Sequence, residues 1–185
     1  MQGTKLRKMI FWALCCALGV FSKRLVAPIA NMITGALHIP GGIGTAFSMM
    51  FLAVAATLAP FRWSCTKMSA VQSALALAMG SVGSMGVLSP LGYIIPGMLM
   101  DLVFILGRRI GLSDGDRLVF ANAAGSLAAA LTANAIVFRL WGIILLVYAC
   151  VAALSGMLFG MLGSWLAGKL RPAITYRSAE EDQRS

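Results

Sequence analysis

Long apolar runs alternate with short basic joints along this chain, and this pattern restricts the possible folds more than any other feature. Of the 185 residues, 59% are hydrophobic and only 11% are charged, whereas soluble domains are nearer to half apolar and a quarter charged. A helix needs about 20 apolar residues to cross a bilayer. The pattern therefore predicts an all-α integral membrane protein surrounded by lipid.

Six of the apolar runs are long enough to predict six transmembrane helices. They are residues 9–27, 43–61, 68–84, 88–106, 118–138 and 142–167. Pro28 disfavours helical backbone at the residue before it, so the first helix is expected to end at Ala27. Residues 1–170 are expected to form one membrane domain. Residues 171–185 are expected to form a polar cytoplasmic tail that is disordered at its end.

The stretch from Pro28 to Gly42 interrupts the apolar pattern. It contains Asn31, Thr34 and His38 and ends in a Pro-Gly-Gly break, although its other residues are largely apolar. Lipid offers no partners to unpaired backbone groups, so non-helical backbone at membrane depth must be surrounded by protein or line a water-filled cavity. We therefore expect a re-entrant or surface segment between the first two helices that lines or covers a ligand cavity.

The basic residues predict the orientation of the helices. If the N-terminus is cytoplasmic, 12 of the 15 basic residues fall on the cytoplasmic side, and only Lys23, Arg24 and Arg139 fall on the other. This asymmetry follows the positive-inside rule and predicts that both termini are cytoplasmic. Because topology accounts for the net charge of +9, no nucleic-acid partner is expected.

Enzyme motifs are missing from the sequence. It has one histidine, no HExxH, GxSxG or P-loop pattern, and no pair of acidic residues within a predicted span. We therefore expect no enzyme activity, no metal site and no cofactor. The four cysteines have no metal-ligand spacing and are expected to be small buried hydrophobic residues.

Asp101 is the only acidic residue within a predicted span. Charges at such positions are costly and often functional, so Asp101 could be a proton or cation site. Alternatively, it lies near the cytoplasmic end of its helix and pairs with Arg108 or Arg109. The first interpretation leads to one alternative function, a self-contained secondary transporter or channel with Asp101 as its coupling site. Such a protein would usually contain an internal repeat, and none is evident here.

Several polar side chains fall in the outer half of the predicted membrane domain. The candidate substrate-binding residues are Asn31, His38, Ser48, Tyr93 and Asn134. Amide and hydroxyl groups that face one external cavity would suit a small polar or heteroaromatic ligand. For each residue taken alone, a hydrogen bond between helices is at least as good an explanation.

Small residues recur about one helical turn apart on two of the predicted helices. Ala13 and Ala17 share a face of the first helix, and Gly156 and Gly160 share a face of the sixth. Such faces allow another helix to approach closely. A chain with no nucleotide site and no evident ion relay would also need partners to supply energy for transport.

The order of these features resembles the substrate-binding S components of energy-coupling factor (ECF) transporters. The shared features are six spans with both ends inside, the AxxxA pattern of the first helix, the Pro28–Gly42 connection, and a glycine-rich turn between VQSALALAMGS and LGYIIPGMLMDLVF. The resemblance covers most of the chain. It is strongest to S components for thiamine precursors such as hydroxymethylpyrimidine.

This resemblance implies a subunit that captures a vitamin or vitamin precursor from outside for ATP-driven uptake across a bacterial or archaeal plasma membrane. The implied partners are a transmembrane T component and two cytoplasmic ATP-binding cassette ATPases. Ala13 and Ala17 would contact the T component, and the Pro28–Gly42 segment would close over the ligand. Ligand contacts vary within the family, so the five candidate binding residues rest on their depth in the membrane.

Overall fold

The computed structural model describes residues 2–36, 43–80, 89–137, 139 and 142–182, which form a bundle of six α-helices. The helices are α1 (Gln2–Ala36), α2 (Ile43–Leu58), α3 (Ser64–Ala78), α4 (Ser89–Ile110), α5 (Asp114–Leu131) and α6 (Ile143–Asp182). A π-helical segment, Thr132–Val137, continues α5. The described residues contain no strand, so the predicted all-α class is confirmed.

Three of the described helices are long and apolar enough to cross a membrane. These stretches are Lys8–Val26 in α1, Pro90–Ile110 in α4 and Ile143–Pro172 in α6. α2 is also apolar over Gly44–Leu58 but is shorter. The apolar helices are compatible with a membrane-embedded protein, and the count of six spans stays a prediction.

The first helix is longer than the sequence pattern predicts. α1 continues through Pro28 and ends at Ala36, so the expected end at Ala27 is wrong. Proline removes one backbone hydrogen bond from a helix, and membrane helices tolerate this loss when neighbouring groups satisfy the freed carbonyl. Most of the expected re-entrant or surface segment is therefore helical, and its remainder, residues 37–42, lies outside the described residues.

The last helix is also longer than predicted. α6 passes through Pro172 and ends at Asp182, where a polar tail with a disordered end was expected. An existing helix gains one hydrogen bond for each residue added, so extension is easier than nucleation. The tail also contains alanine, arginine and glutamate, which favour helix.

α2 is the centre of the bundle. It contacts α1, α3, α5 and α6, and its Leu52, Ala53 and Ala55 are completely buried. α4 packs between α3 and α5. In contrast, α1 and α6 expose large apolar side chains such as Phe21 and Leu158, which suits helices whose outer faces contact lipid.

Glycines at the α5–α6 contact allow the close approach that the sequence predicts. A Cβ atom at Gly156 would lie 2.7 Å from the Cα atom of Ala123, and one at Gly160 would lie 2.8 Å from the Cα atom of Val119. Backbone atoms cannot rotate away as a flexible side chain can. The tight contact therefore requires glycine at both positions, and this prediction is confirmed.

Candidate functional site

The bundle has two ends with different side chains. At the basic end, residues 59–63 connect α2 to α3 and residues 111–113 connect α4 to α5, and Pro60 and Arg117 line one cavity there. At the opposite end, Arg24 of α1 donates a hydrogen bond of 3.3 Å to the carbonyl of Met79, just after α3. The predicted orientation would make the basic end cytoplasmic and the opposite end external.

Ser48, one of the predicted ligand residues, is buried between α2 and α1. Its hydroxyl donates a 2.8 Å hydrogen bond to the Gly19 carbonyl, which also accepts a 3.0 Å bond from Ser22. The neighbouring Gln72 of α3 donates to the Cys16 carbonyl at 3.2 Å. Ser48 therefore joins α2 to α1, close to a second hydrogen bond that joins α3 to α1.

Tyr93, in the first turns of α4, lies beneath a lysine from α1. The Nζ atom of Lys23 is 3.8 Å from the centre of the Tyr93 ring, which is within the range of a cation–π interaction. The sequence gives Lys23 a place on the outer side but no link to Tyr93, because their segments are far apart in the chain. A cation beside an aromatic ring can contact both an acceptor group and the face of a planar ligand.

Asn134 lies in the π-helical segment and is buried. Its side-chain amide donates a 2.9 Å hydrogen bond to the Ala130 carbonyl. In a regular α-helix, that carbonyl would pair with the backbone N–H of residue 134. Short π-helical turns occur frequently at functional sites, which supports Asn134 as a candidate ligand residue. The hydrogen bond of its side-chain amide stays within one turn of the same segment.

The structure does not describe the side chains of the two remaining ligand candidates, Asn31 and His38. Asn31 belongs to α1, but its side chain lies outside the described part of the chain. All of His38 lies outside it as well. Ser48, Tyr93 and Asn134 come from three different helical segments, and Ser48 and Tyr93 both contact the α1 stretch from Gly19 to Lys23.

Asp101 caps another helix. Its Oδ1 atom accepts a 3.1 Å hydrogen bond from the backbone N–H of Cys65, and its Oδ2 atom accepts bonds from the N–H and hydroxyl of Thr66 at 2.8 and 2.7 Å. The residue before α3, Trp63, makes no side-chain cap bond. The buried carboxylate of α4 therefore satisfies first-turn N–H groups of α3 that would otherwise lack a partner.

This arrangement differs from the expected pairing of Asp101 with Arg108 or Arg109. Among the described residues, Asp101 forms no ion pair, because its two oxygens face the start of α3. Gly97, one turn earlier on α4, permits the approach, since a Cβ atom there would lie 2.9 Å from the Cys65 carbonyl oxygen. A sequence gives no direct signal for a cap supplied by a different helix.

Ala13 and Ala17 lie on an exposed face of α1. On the other side of the same helix, Cys15 and Cys16 are buried. The exposed face is free for a partner in the described part of the bundle, and its predicted contact with a T component stays a prediction. Burial of the cysteines is confirmed for these two and Cys65, but Cys150 is exposed.

Comparison with family models, curated proteins and solved structures finds no match to this chain. The resemblance to S components of ECF transporters therefore stays a prediction from the sequence.

Proposed function

We propose that this chain is the substrate-binding S component of an ECF transporter, which captures a vitamin or vitamin precursor from the external side. The T component would bind α1, and two ATPases would supply the energy. The protein would cross a bacterial or archaeal plasma membrane six times, with both termini in the cytoplasm. Its own part in transport is to bind, enclose and release a ligand, with no covalent chemistry.

The contacts of Ser48 and Tyr93 with α1 support the ligand-binding part of this proposal. Ser48 contacts Gly19 and Tyr93 contacts Lys23, and residues four apart lie on the same face of a helix. Two predicted ligand residues from α2 and α4 therefore flank one face of α1 at the end opposite the basic end. The ring and hydroxyl of Tyr93 and the ammonium group of Lys23 suit a planar ligand with hydrogen-bonding atoms.

The difference between two faces of α1 supports the proposed binding of a T component. Cys15 and Gly19 pack inward, so α1 is held by its own bundle on one side. Ala13 and Ala17 expose a shallow apolar surface on another side, and small residues favour close helix packing in membranes. A helix of the T component could pack there without displacing any of the six described helices.

The alternative function, a secondary transporter or channel coupled through Asp101, has less support. A coupling carboxylate must bind and release a proton or cation during each cycle. The Asp101 oxygens instead accept three hydrogen bonds from Cys65 and Thr66. Protonation would disrupt this cap and loosen α3 from α4, so the geometry favours a structural role.

An Ala13→Trp variant is expected to lose its partners while keeping its fold. The indole would occupy the space that a closely packed helix needs, and overpacking of this kind weakens association roughly tenfold or more. The measurement is the amount of T component and ATPases that co-purify with the tagged full-length chain from cells, counted by mass spectrometry.

Leu18→Trp is the matched control for this experiment. Leu18 is also exposed on α1 but lies about 100° around the helix from Ala17. It should retain the partners. Equal co-purification of the Ala13→Trp and Leu18→Trp proteins would contradict the interface assignment, and a lowered unfolding temperature of Ala13→Trp alone would show damage to the fold.

A further inference from the structure

An open cavity of about 230 Å³ lies at the basic end, where α2, α4, α5 and α6 meet. Arg108, Arg117, Arg171 and Asp114 line it, and we call it the arginine pocket. Its wall also includes the apolar Phe104. The volume is below the range of about 300–1,000 Å³ that is typical of sites for drug-sized ligands, so the pocket suits a smaller group.

The arginine pocket has more positive than negative charge. Asp114 accepts hydrogen bonds from Arg117 and from the Nη2 atom of Arg171, the latter at 2.7 Å. Arg108 lines the same cavity and pairs with no carboxylate among the residues that the structure describes. One carboxylate therefore faces three guanidinium groups.

Arg117 adds hydrogen-bond donors that the described residues do not use. Its side chain is only 18% exposed, and it donates to Asp114 and, from Nε at 3.4 Å, to the Ser113 carbonyl. A guanidinium group carries more donors than these two bonds require. Unused donors on a cationic side chain that is largely buried favour an anion with several acceptor oxygens.

We infer that the arginine pocket binds a phosphate group, either in the headgroup of an anionic phospholipid or as free phosphate. Guanidinium groups match phosphate oxygens in charge and geometry. The pocket lies at the ends of apolar helices, where headgroups would lie if these helices cross the membrane, and basic pockets between transmembrane helices commonly bind such headgroups. This inference does not depend on the proposed ligand site near Tyr93 or on the proposed transport partners.

The test uses the full-length protein in a neutral detergent and measures its unfolding temperature. The three additives are a short-chain phosphatidylglycerol, sodium phosphate, and sodium chloride at the same ionic strength. A ligand that binds only the folded state raises the unfolding temperature. The ligand concentration that gives half of the maximal rise, called the midpoint here, is set by its affinity. The test variants are Arg108→Gln and Arg171→Gln, and the Arg171 side chain is 65% exposed, so its replacement should not prevent folding.

Arg109→Gln is the matched control, because Arg109 adjoins Arg108 but does not line the pocket. We expect phosphatidylglycerol to stabilise the wild type and Arg109→Gln with equal midpoints, and to need roughly tenfold higher concentrations with Arg108→Gln and Arg171→Gln. Stabilisation by the lipid alone would identify a headgroup site, and stabilisation by sodium phosphate as well would identify a site for free phosphate. Equal midpoints in all four proteins, equal stabilisation by sodium chloride, or no stabilisation would overturn the inference.

Discussion

A Gly156→Leu variant is expected to lose about 3 kcal/mol of stability, at the upper end of the usual cost of overpacking. The new Cβ atom would lie 2.7 Å from the Cα atom of Ala123 and 3.0 Å from the carbonyl oxygen of Asn122. Since these are backbone atoms, relief requires α5 and α6 to separate. Separation would also stretch the 2.8 Å hydrogen bond from the Asn122 amide to the Gly156 carbonyl.

The buried cysteines provide the measurement for this prediction. Cys15, Cys16 and Cys65 are buried, whereas Cys150 is exposed. In a Cys150→Ala background, a thiol-reactive fluorophore would therefore report unfolding through buried thiols alone. The unfolding temperature in detergent should fall clearly for Gly156→Leu.

Gly168→Leu is the control on the same helix. A Cβ atom at Gly168 would meet no atom within 4 Å, and leucine favours helix over glycine by up to about 1 kcal/mol. Its unfolding temperature should stay level or rise. If Gly156→Leu were as stable as Gly168→Leu, the close α5–α6 contact would be refuted.

An Asp101→Ala variant is expected to lose about 3 kcal/mol, because it leaves one buried and one partly buried N–H group at the start of α3 without an acceptor. Those groups belong to Cys65 and Thr66. The negative charge near the positive end of the α3 dipole is lost as well. Because Cys65 itself is buried at this junction, its reaction with the fluorophore should become faster than that of the other buried thiols.

Two further variants separate the contributions to this cap. Asp101→Asn keeps one oxygen acceptor and should be intermediate in stability. Thr66→Val removes only the hydroxyl bond of 2.7 Å and should cost about 1 kcal/mol. If Asp101→Ala left stability unchanged but abolished proton-dependent uptake by the protein, the carboxylate would be a coupling site and the alternative function would be favoured.

Local patterns in the sequence predict the helices well, but contacts between distant segments are much harder to predict. The apolar runs give all six helices, and the spacing of Gly156 and Gly160 identifies a real packing face. The prediction from Pro28 is wrong, because a proline usually marks a helix end but α1 continues past it to Ala36.

The contacts that polar side chains make with distant segments could not be predicted from the sequence. Depth in the membrane selects Ser48 and Tyr93, but their partners Gly19 and Lys23 lie far away in sequence. The role of Asp101 is likewise decided by the start of α3, which no periodicity connects to α4. Residue type and depth therefore identify candidate groups, and only the packing of the helices decides which of them meet.

The proposed function requires that the end opposite the basic end holds a small ligand against the ring of Tyr93. Such a ligand can be detected by mass spectrometry of the small molecules that the detergent-purified protein retains. We predict that the wild type and Tyr93→Phe retain a small polar or heteroaromatic molecule and that Tyr93→Ala loses it while its unfolding temperature without ligand is preserved. Retention of no such molecule by the wild type, or of equal amounts by Tyr93→Ala, would contradict the proposed binding function.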